Sequence, residues 1–215
     1  MEKPAIRGMI FKGMVDDLNL LRDQGRVSDM QIKGRLPAED LALMEGEINL
    51  SGWYPLDCYA RLIYLLCSVE GEGKDAYFVE RERQSARRLM EAGLYQQLAF
   101  LPRLGEIAEQ SAGDESLLIV DFTGKVRLVV SMSAMAYNVG KWVVEPEPEN
   151  PGRVRITVRE AKAYFEPMRL AIEGFLNECA RETRPDCDHL FISERPAPDL
   201  ILYRMTRDIK DLYRA

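Results

Sequence analysis

The sequence predicts an α+β fold in which an N-terminal helical layer packs on a C-terminal antiparallel sheet. The first observation is apolar residues at helical spacing, clearest in WYPLDCYARLIYLL from Trp53 to Leu66. The second is alternation of apolar and polar residues after Gly140, interrupted by one helical segment, which gives the order β-β-α-β-β. Because no linker-like stretch separates the parts, we expect a single domain over residues 1–215, helical to about 139 and sheet-rich from about 140.

Composition limits the class of protein. Of the 215 residues, 47% are hydrophobic and 30% are charged, which is typical of a globular chain with a substantial core. The net charge of -6 disfavours nucleic-acid binding, since that affinity comes largely from Lys and Arg on phosphates. The N-terminus has neither a signal-peptide core nor a membrane span, so we expect a cytoplasmic protein whose four cysteines are reduced and mostly buried.

The first 45 residues are compatible with one strand and several helices. The apolar, glycine-containing segment from Ile6 to Met14 is interpreted as a strand, with a helix following from Val15 to Arg22. Short helices are expected between Ser28 and Glu45. Pro37 suits the first turn of one of them, where its missing N–H is not needed.

A helix is strongly indicated after Pro55, because apolar residues recur at i, i+3, i+4 and i+7 and define one buried face. These residues are Tyr59, Leu62, Ile63 and Leu66. Gly71 and Gly73 break this helix, Asp75 is expected to cap the next one, and Gly93 to end that one in a left-handed conformation. A further helical stripe continues to Pro102 and consists of Leu94, Leu98 and Leu101.

The segment from Ser116 to Tyr137 is ambiguous. Its first part, LLIVDF, has the composition of a strand, whereas the later apolar residues recur at helical spacing. We favour a helix from about Lys125.

The sequence pattern of the C-terminal part predicts two hairpins and a helix. KWVVE and RVRITVR are expected strands joined by the acidic turn EPEPENPG, with the second strand alternating between a wet face and an apolar one. Pro167 suits the start of a helix whose apolar face covers the sheet. That face consists of Met168, Ala171, Ile172, Phe175 and Cys179. HLFISE and LILYRMT are expected to form the second hairpin, with RPAPD as its turn.

Residues with catalytic or metal-binding chemistry are sparse. The single histidine, His189, follows Cys187 and Asp188, but adjacent side chains on a strand point to opposite faces and make a poor triad. A metal site of Cys179, Cys187 and His189 would lack the closely spaced ligand pair usual for zinc. Phosphate-binding glycine motifs are absent. We therefore expect no catalytic residue, no metal ligand and no cofactor-binding residue.

A charged helix and a strand carry clusters of arginine. The helix has Arg81, Arg83, Arg87 and Arg88 among Glu80, Glu82 and Glu91. Such a cluster forms either a site for an anion or acidic partner, or a solvated face in which Arg87 attracts Glu91, and we favour the solvated face. Arg153, Arg155 and Arg159 lie on the polar side of a strand, where a partner could bind.

Aromatic residues of the helical layer could either fill the core or line an apolar cavity, and we favour the core because packing alone explains them. Those considered are Trp53, Tyr54, Tyr59, Tyr64 and Tyr95, together with Met90. If a ligand binds between the helices, the candidate pocket is Tyr59, Ile63 and Tyr95.

The order of these segments resembles a known family. WYPLDCYARLIYLL, LMEAGLYQQLAFL, YNVGKWVVE and GRVRITV, followed by a helix and two strands, resemble a family of bacterial proteins, common in myxobacteria, of undetermined function. That family is similar in layout to the ligand-binding fold of vinyl-reductase-like domains, TRAPP-like subunits and heme nitric-oxide-binding domains. The resemblance implies a small-molecule sensor or a dimerising adaptor.

The sequence departs from the heme-binding members of that group. The resemblance implies a proximal histidine on a helix and a Tyr-x-Ser-x-Arg clamp for the heme propionates. Here the nearest match to the clamp, from Arg83 through Ser85 to Arg87, lacks the tyrosine, and His189 lies in the C-terminal hairpin. The sequence therefore argues against heme.

We expect a non-enzymatic cytoplasmic regulatory or scaffold domain that binds a protein partner and forms a homodimer. The alternative is a small-molecule sensor that binds an apolar ligand between its helices. An enzyme based on acidic residues is a third hypothesis, which two carboxylates converging in a deep cleft would support.

Overall fold

The computed structural model describes residues 3–91, 93, 115–183 and 188–213. In the N-terminal part the elements are β1 (Ala5–Arg7), α1 (Gly8–Asp23), α2 (Asp29–Arg35), α3 (Ala38–Glu45), β2 (Trp53–Pro55), α4 (Leu56–Glu70), α5 (Ala76–Glu91) and α6 (Glu115–Ala134). The short strands β1 and β2 pair antiparallel. The predicted stripe at Leu94, Leu98 and Leu101 lies outside the described residues.

The C-terminal part confirms the predicted β-β-α-β-β order. Its elements are β3 (Lys141–Glu147), β4 (Asn150–Arg159), a 3-10 turn (Ala161–Ala163), α7 (Glu166–Thr183), β5 (Phe191–Ala197), β6 (Leu200–Met205) and α8 (Ile209–Tyr213). The strands form an antiparallel sheet in the order β3-β4-β6-β5. The chain is therefore of the predicted α+β class. Within the described ranges, no helix is both long and apolar enough to cross a membrane.

The strand predicted from Ile6 to Met14 is wrong for most of its length. Only Ala5–Arg7 is extended, and α1 begins at Gly8. The buried residues of α1 recur at helical spacing and include Phe11, Met14, Val15, Leu18 and Leu21. Gly8 is needed where the helix begins, because a Cβ there would overlap the carbonyl oxygen of Asn49.

Helix α6 corrects a second prediction, since it begins at Glu115 rather than near Lys125. LLIVDF is therefore helical. Its apolar residues share a face with the buried valines that follow, because these positions are three or four residues apart. The residues of that face are Leu118, Ile119, Phe122, Val126, Val129 and Val130.

Helix α4 has the predicted buried face, with Tyr59 and Ile63 almost completely enclosed. The buried Asp40 of α3 accepts two hydrogen bonds from Arg61 of α4, at 2.5 and 2.8 Å, and joins the two helices. Burial and then the hydrogen bond with Asp40 raise the pKa of the neighbouring Cys58 to about 12, so its thiol is uncharged at neutral pH.

The cysteines in the described residues agree with the prediction. Cys58, Cys67 and Cys179 are all buried. Cys187 lies outside the described residues.

Helix α7 covers one face of the sheet, as predicted. Met168, Ala171, Ile172, Phe175 and Cys179 are all buried. The buried Asn177 amide exchanges two hydrogen bonds with the Phe191 backbone, at 2.8 and 2.9 Å, and ties α7 to the start of β5. Facing the helix, β4 contributes the alternating buried residues Val154, Ile156 and Val158.

The other face of the sheet carries paired charges. Arg155 donates to Glu145 at 2.7 Å and Arg204 donates to Glu194 at 2.7 Å. Arg153 donates to Asp208 at 2.6 Å, while Arg159 is exposed. Arg153 and Arg155, considered above as a surface for a partner, therefore already have acidic partners within the chain.

The turns of both hairpins are shorter than predicted. Only Pro148 and Glu149 separate β3 from β4, and only Pro198 and Asp199 separate β5 from β6. Pro196 thus lies within β5. That strand is at the edge of the sheet, where a missing N–H need not interrupt a ladder of hydrogen bonds.

A close approach between α5 and α7 gives a stability test. A Cβ on Gly174 of α7 would overlap the carbonyl oxygen of Val79 on α5 and lie 2.9 Å from its carbon. We expect Gly174→Ala to force the helices apart and lower the free energy of unfolding by about 1–3 kcal/mol or more, measured by chemical denaturation.

The matched control is Gly124→Ala on α6, where a Cβ would meet no atom within 4 Å. It should raise the free energy of unfolding by about 0.5–1 kcal/mol, because alanine favours helix over glycine. Equal effects of the two substitutions would contradict the close contact at Gly174.

Candidate functional site

A cavity of about 810 Å³ lies between α1, α5, α7 and the end of α6, with the loop before β2 at one side. Its apolar walls consist of Met9, Ile10, Met14, Leu50, Leu89, Met132, Met135, Ile172 and Phe175. Met9, Leu50 and Met135 are also among the exposed apolar residues. They therefore line a side of the cavity that solvent reaches.

Two helical faces create this space. On α1, the lining residues Met9, Gly13 and Asp17 are four residues apart and follow one stripe. A Cβ on Gly13 would meet no atom within 4 Å, so this position leaves open space in the wall. On α5, positions 81, 82, 85, 88 and 89 face the same cavity. Large side chains on the other helices enclose the space that these two faces leave open.

Paired charges lie along the wall between α1 and α5. Arg81 donates a hydrogen bond to the Asp17 carboxylate, and its side chain is only 12% exposed. Arg88 Nη1 lies 3.8 Å from the same carboxylate. Asp17 is thus shared by two guanidinium groups, of which Arg81 is largely enclosed and Arg88 is 60% exposed, and the pairing reduces the cost of enclosing Arg81.

Glu82 is less well paired than Asp17. Its carboxylate lies 3.7 Å from Arg81 Nη1, beyond hydrogen-bond distance, and no residue within the described ranges donates a hydrogen bond to it. Burial raises the pKa of Glu82 above its ordinary value. Arg81 and Arg88 oppose the rise, and Asp17 adds to it. Glu82 therefore presents an acceptor to the cavity that the described protein leaves without a donor.

The charge of Glu82 also affects two tyrosines. Burial, and then the charge of Glu82, raise the pKa of Tyr59. Burial also raises the pKa of Tyr137, with Tyr59 and Glu82 adding to the effect. Tyr137 lines the cavity, whereas Tyr59 lies in the core behind it. Both phenols stay protonated at neutral pH and keep an O–H available for donation.

Two of the predicted pocket residues, Tyr59 and Ile63, do not line this cavity. Tyr59 and Ile63 are 2% and 1% exposed and belong to the core. Tyr95 lies outside the described residues. Trp53 is partly exposed beneath the Arg7 guanidinium, which is 3.9 Å from its ring centre, and Tyr64 is exposed. The described cavity is lined by α1 and α5, beside the predicted residues of α4.

The charged helix α5 is not the solvated face that we favoured. Arg83 is buried and donates to the backbone of Asp188, and Arg87 pairs with the buried Glu178 of α7 rather than with Glu91. The cause is that α5 has neighbours on more than one side, so its charges must find partners there. The sequence contained one indication that an interior partner exists for these charges. Glu178 directly precedes Cys179, a residue of the apolar face of α7.

Two of the three residues considered as metal ligands lie in different surroundings. His189 is exposed in the turn before β5, and Cys179 is buried on α7. Cys187 lies outside the described residues, so the structure does not describe the grouping of Cys179, Cys187 and His189.

Solved structures share this architecture. Two structures of H-NOX proteins from K. algicida, one of them a point mutant, align with the chain at a TM-score of 0.54. They are 13% and 14% identical in sequence, and the alignments cover 93% of this chain and 95% of theirs. The chain shares the H-NOX fold. No protein-family model matches the chain, and no curated protein matches its sequence.

The cavity does not fit the heme pattern described above. Both H-NOX structures are described as Fe(II) unliganded, but the one histidine of this chain is exposed beside β5 and does not line the cavity. At the site of the nearest clamp match, Ser85 lines the cavity whereas Arg87 turns to Glu178. The chain therefore shares the fold, but its cavity lacks the histidine and the clamp of the heme pattern.

The raised pKa of Glu82 predicts a pH-dependent change in stability. A carboxyl group whose pKa is higher in the folded state stabilises the fold while it is protonated, and this contribution is lost as pH rises through the folded pKa. Glu82→Gln cannot ionise. We therefore expect the variant to gain stability over the unmodified protein as pH rises from about 4 to 8, with little difference at the acidic end.

Urea denaturation at several pH values would measure this gain. The control is Glu80→Gln on the exposed side of the same helix, which should show no such growth. A gain for Glu82→Gln that is constant across the pH range would contradict the raised pKa.

Proposed function

We propose that this protein is a small-molecule sensor domain whose ligand binds in the cavity between α1, α5, α6 and α7. The observation that carries the proposal is the cavity itself. At about 810 Å³ it is within the size range of small-molecule sites, and its walls are mostly apolar with a few converging polar groups. This matches the usual anatomy of a ligand pocket.

The fold supports the proposal without naming the ligand. The H-NOX structures that share this architecture, aligned over 93% of the chain, are described as Fe(II) unliganded, and a description by ligation state supports a ligand-binding role for the fold. The residues that line the cavity differ from those of the heme pattern. The proposal is therefore limited to a ligand that fits the apolar walls and the region around Glu82. Similarity to vinyl-reductase-like and TRAPP-like domains stays a prediction from the sequence.

The scaffold and homodimer hypothesis has weaker support than the sensor. No surface described above requires a second copy, and the arginines considered for a partner are largely paired within the chain. Regulation through a protein partner remains compatible with a sensor, because a ligand-binding domain must pass its signal on.

A catalytic function has one observation in its favour. Asp17 and Glu82 are two carboxylates that line the same cavity. However, Asp17 is occupied by Arg81 and Arg88, which leaves Glu82 without a free acidic partner for general acid–base chemistry. We therefore keep the non-enzymatic function as our proposal.

The sensor proposal predicts that filling the cavity weakens ligand binding. Gly13→Leu would place an isobutyl group into the open space beside α1, where a Cβ meets no atom within 4 Å. We expect it to weaken the binding of the uncharged fluorescent probe N-phenyl-1-naphthylamine about tenfold or more, measured by fluorescence titration.

Gly34→Leu is the matched control. It also lies in a helix, on α2, with no atom within 4 Å of its Cβ, but it does not line the cavity. Both variants gain the same helix propensity, so they should differ in binding and not in folding. Equal probe affinity in Gly13→Leu and the unmodified protein would overturn the proposed site.

A further inference from the structure

We propose that the ligand is a hydrophobic amine, whose ammonium group pairs with Glu82 while its apolar body lies between α1, α5 and α7. This inference rests on the proposed sensor function and adds the chemical class of the ligand. Glu82, Met14 and Phe175 all line the same cavity, so one small molecule can contact the carboxylate and the apolar wall together.

The charges of the cavity differ in how well they are already paired. Arg81 donates a hydrogen bond to Asp17, and Arg88 lies 3.8 Å from that same carboxylate. Asp16 is paired with Lys12 at 2.6 Å. Arg7 donates to the carbonyl oxygen of Ser51 at 2.7 Å, and its guanidinium lies over the Trp53 ring. These groups need no ligand to satisfy them.

Glu82 is the exception among the charged lining residues. Its nearest cation, Arg81, is 3.7 Å away and is engaged by Asp17, and no residue of the described ranges donates a hydrogen bond to it. The Glu82 side chain is 18% exposed, so its carboxylate is largely but not completely removed from water. A carboxylate in this position is stabilised most by a charged N–H donor. The ammonium group of a ligand would supply the donor that this wall lacks.

The groups around Glu82 are compatible with a bound ammonium group. α1 contributes Asp17, α4 contributes Tyr59, and the segment after α6 contributes Tyr137, while Arg81 and Arg88 lie on the same helix. α7 contributes only apolar side chains, Ile172 and Phe175. Asp17 offsets one of the two guanidinium charges, and the other belongs to Arg88, whose side chain is 60% exposed so that solvent screens it.

An acidic ligand fits this wall less well. Its carboxylate would approach Arg81 beside two carboxylates that are already present, and like charges in a partly enclosed site repel strongly. Arg88, whose side chain is 60% exposed, is the cation at which such an acid would bind. Binding of an acid at Arg88 is therefore an outcome that an experiment can distinguish from binding of an amine at Glu82.

The test compares three probes with the same ring system: 2-(1-naphthyl)ethylamine, 2-(1-naphthyl)ethanol and 1-naphthylacetate. Calorimetric titration at neutral pH should show the amine binding about tenfold or more tightly than the alcohol, with the acid weakest. Glu82→Gln should remove the advantage of the amine over the alcohol, because it changes the affinity for the amine far more than the affinity for the alcohol. Glu80→Gln, on the exposed side of α5, should change neither.

The pH dependence gives a second readout. Since burial raises the pKa of Glu82, acidification should protonate it and weaken amine binding, while alcohol binding stays level. Tighter binding of the acid, or an amine advantage that survives Glu82→Gln, would overturn the amine inference alone. The sensor function itself would then still stand if the alcohol binds and Gly13→Leu weakens it. If none of the three probes binds, both proposals fail.

Discussion

The contact between α5 and α7 is the constraint on which the rest of the structure depends. The two helices approach so closely at Gly174 and Val79 that a single methyl group would not fit. Beside this contact, Arg87 reaches the buried Glu178, and breaking such a pair from one side would leave an uncompensated charge in the interior. The contact fixes the position of α5 relative to the sheet, because α7 is itself tied to β5 through Asn177.

The cavity follows from that placement. With one face of α5 held against α7, its next face points toward α1, where Arg81 and Arg88 reach Asp17. The helices are therefore linked by long charged side chains across a gap rather than by close packing. Met14, Phe175 and their neighbours line the gap without filling it. A cavity that the arrangement of the backbone itself creates is well suited to bind a ligand.

Local patterns predicted most of the fold. The face of α4 around Tyr59 and Ile63, the buried face of α7 and the alternation along β4 were all readable from spacing, because each element buries one side. The errors came where spacing was ambiguous. Interpreting Ile6 to Met14 as a strand concealed the stripe of Met9, Gly13 and Asp17, which a helical interpretation would have exposed as a wall with a glycine gap.

The sequence by itself determined the α+β class, the order of the C-terminal elements and the absence of a second histidine, since these depend on residue identity and local periodicity. Only the tertiary structure decided that Arg81 and Arg83 of α5 are largely enclosed, that Arg87 pairs with a buried carboxylate and that Glu82 faces a cavity. The physical reason is that a charged residue on an amphipathic helix looks the same in sequence whether water or a neighbouring helix lies beside it. The partner that distinguishes the two cases, such as Glu178 for Arg87, lies 91 residues away along the chain.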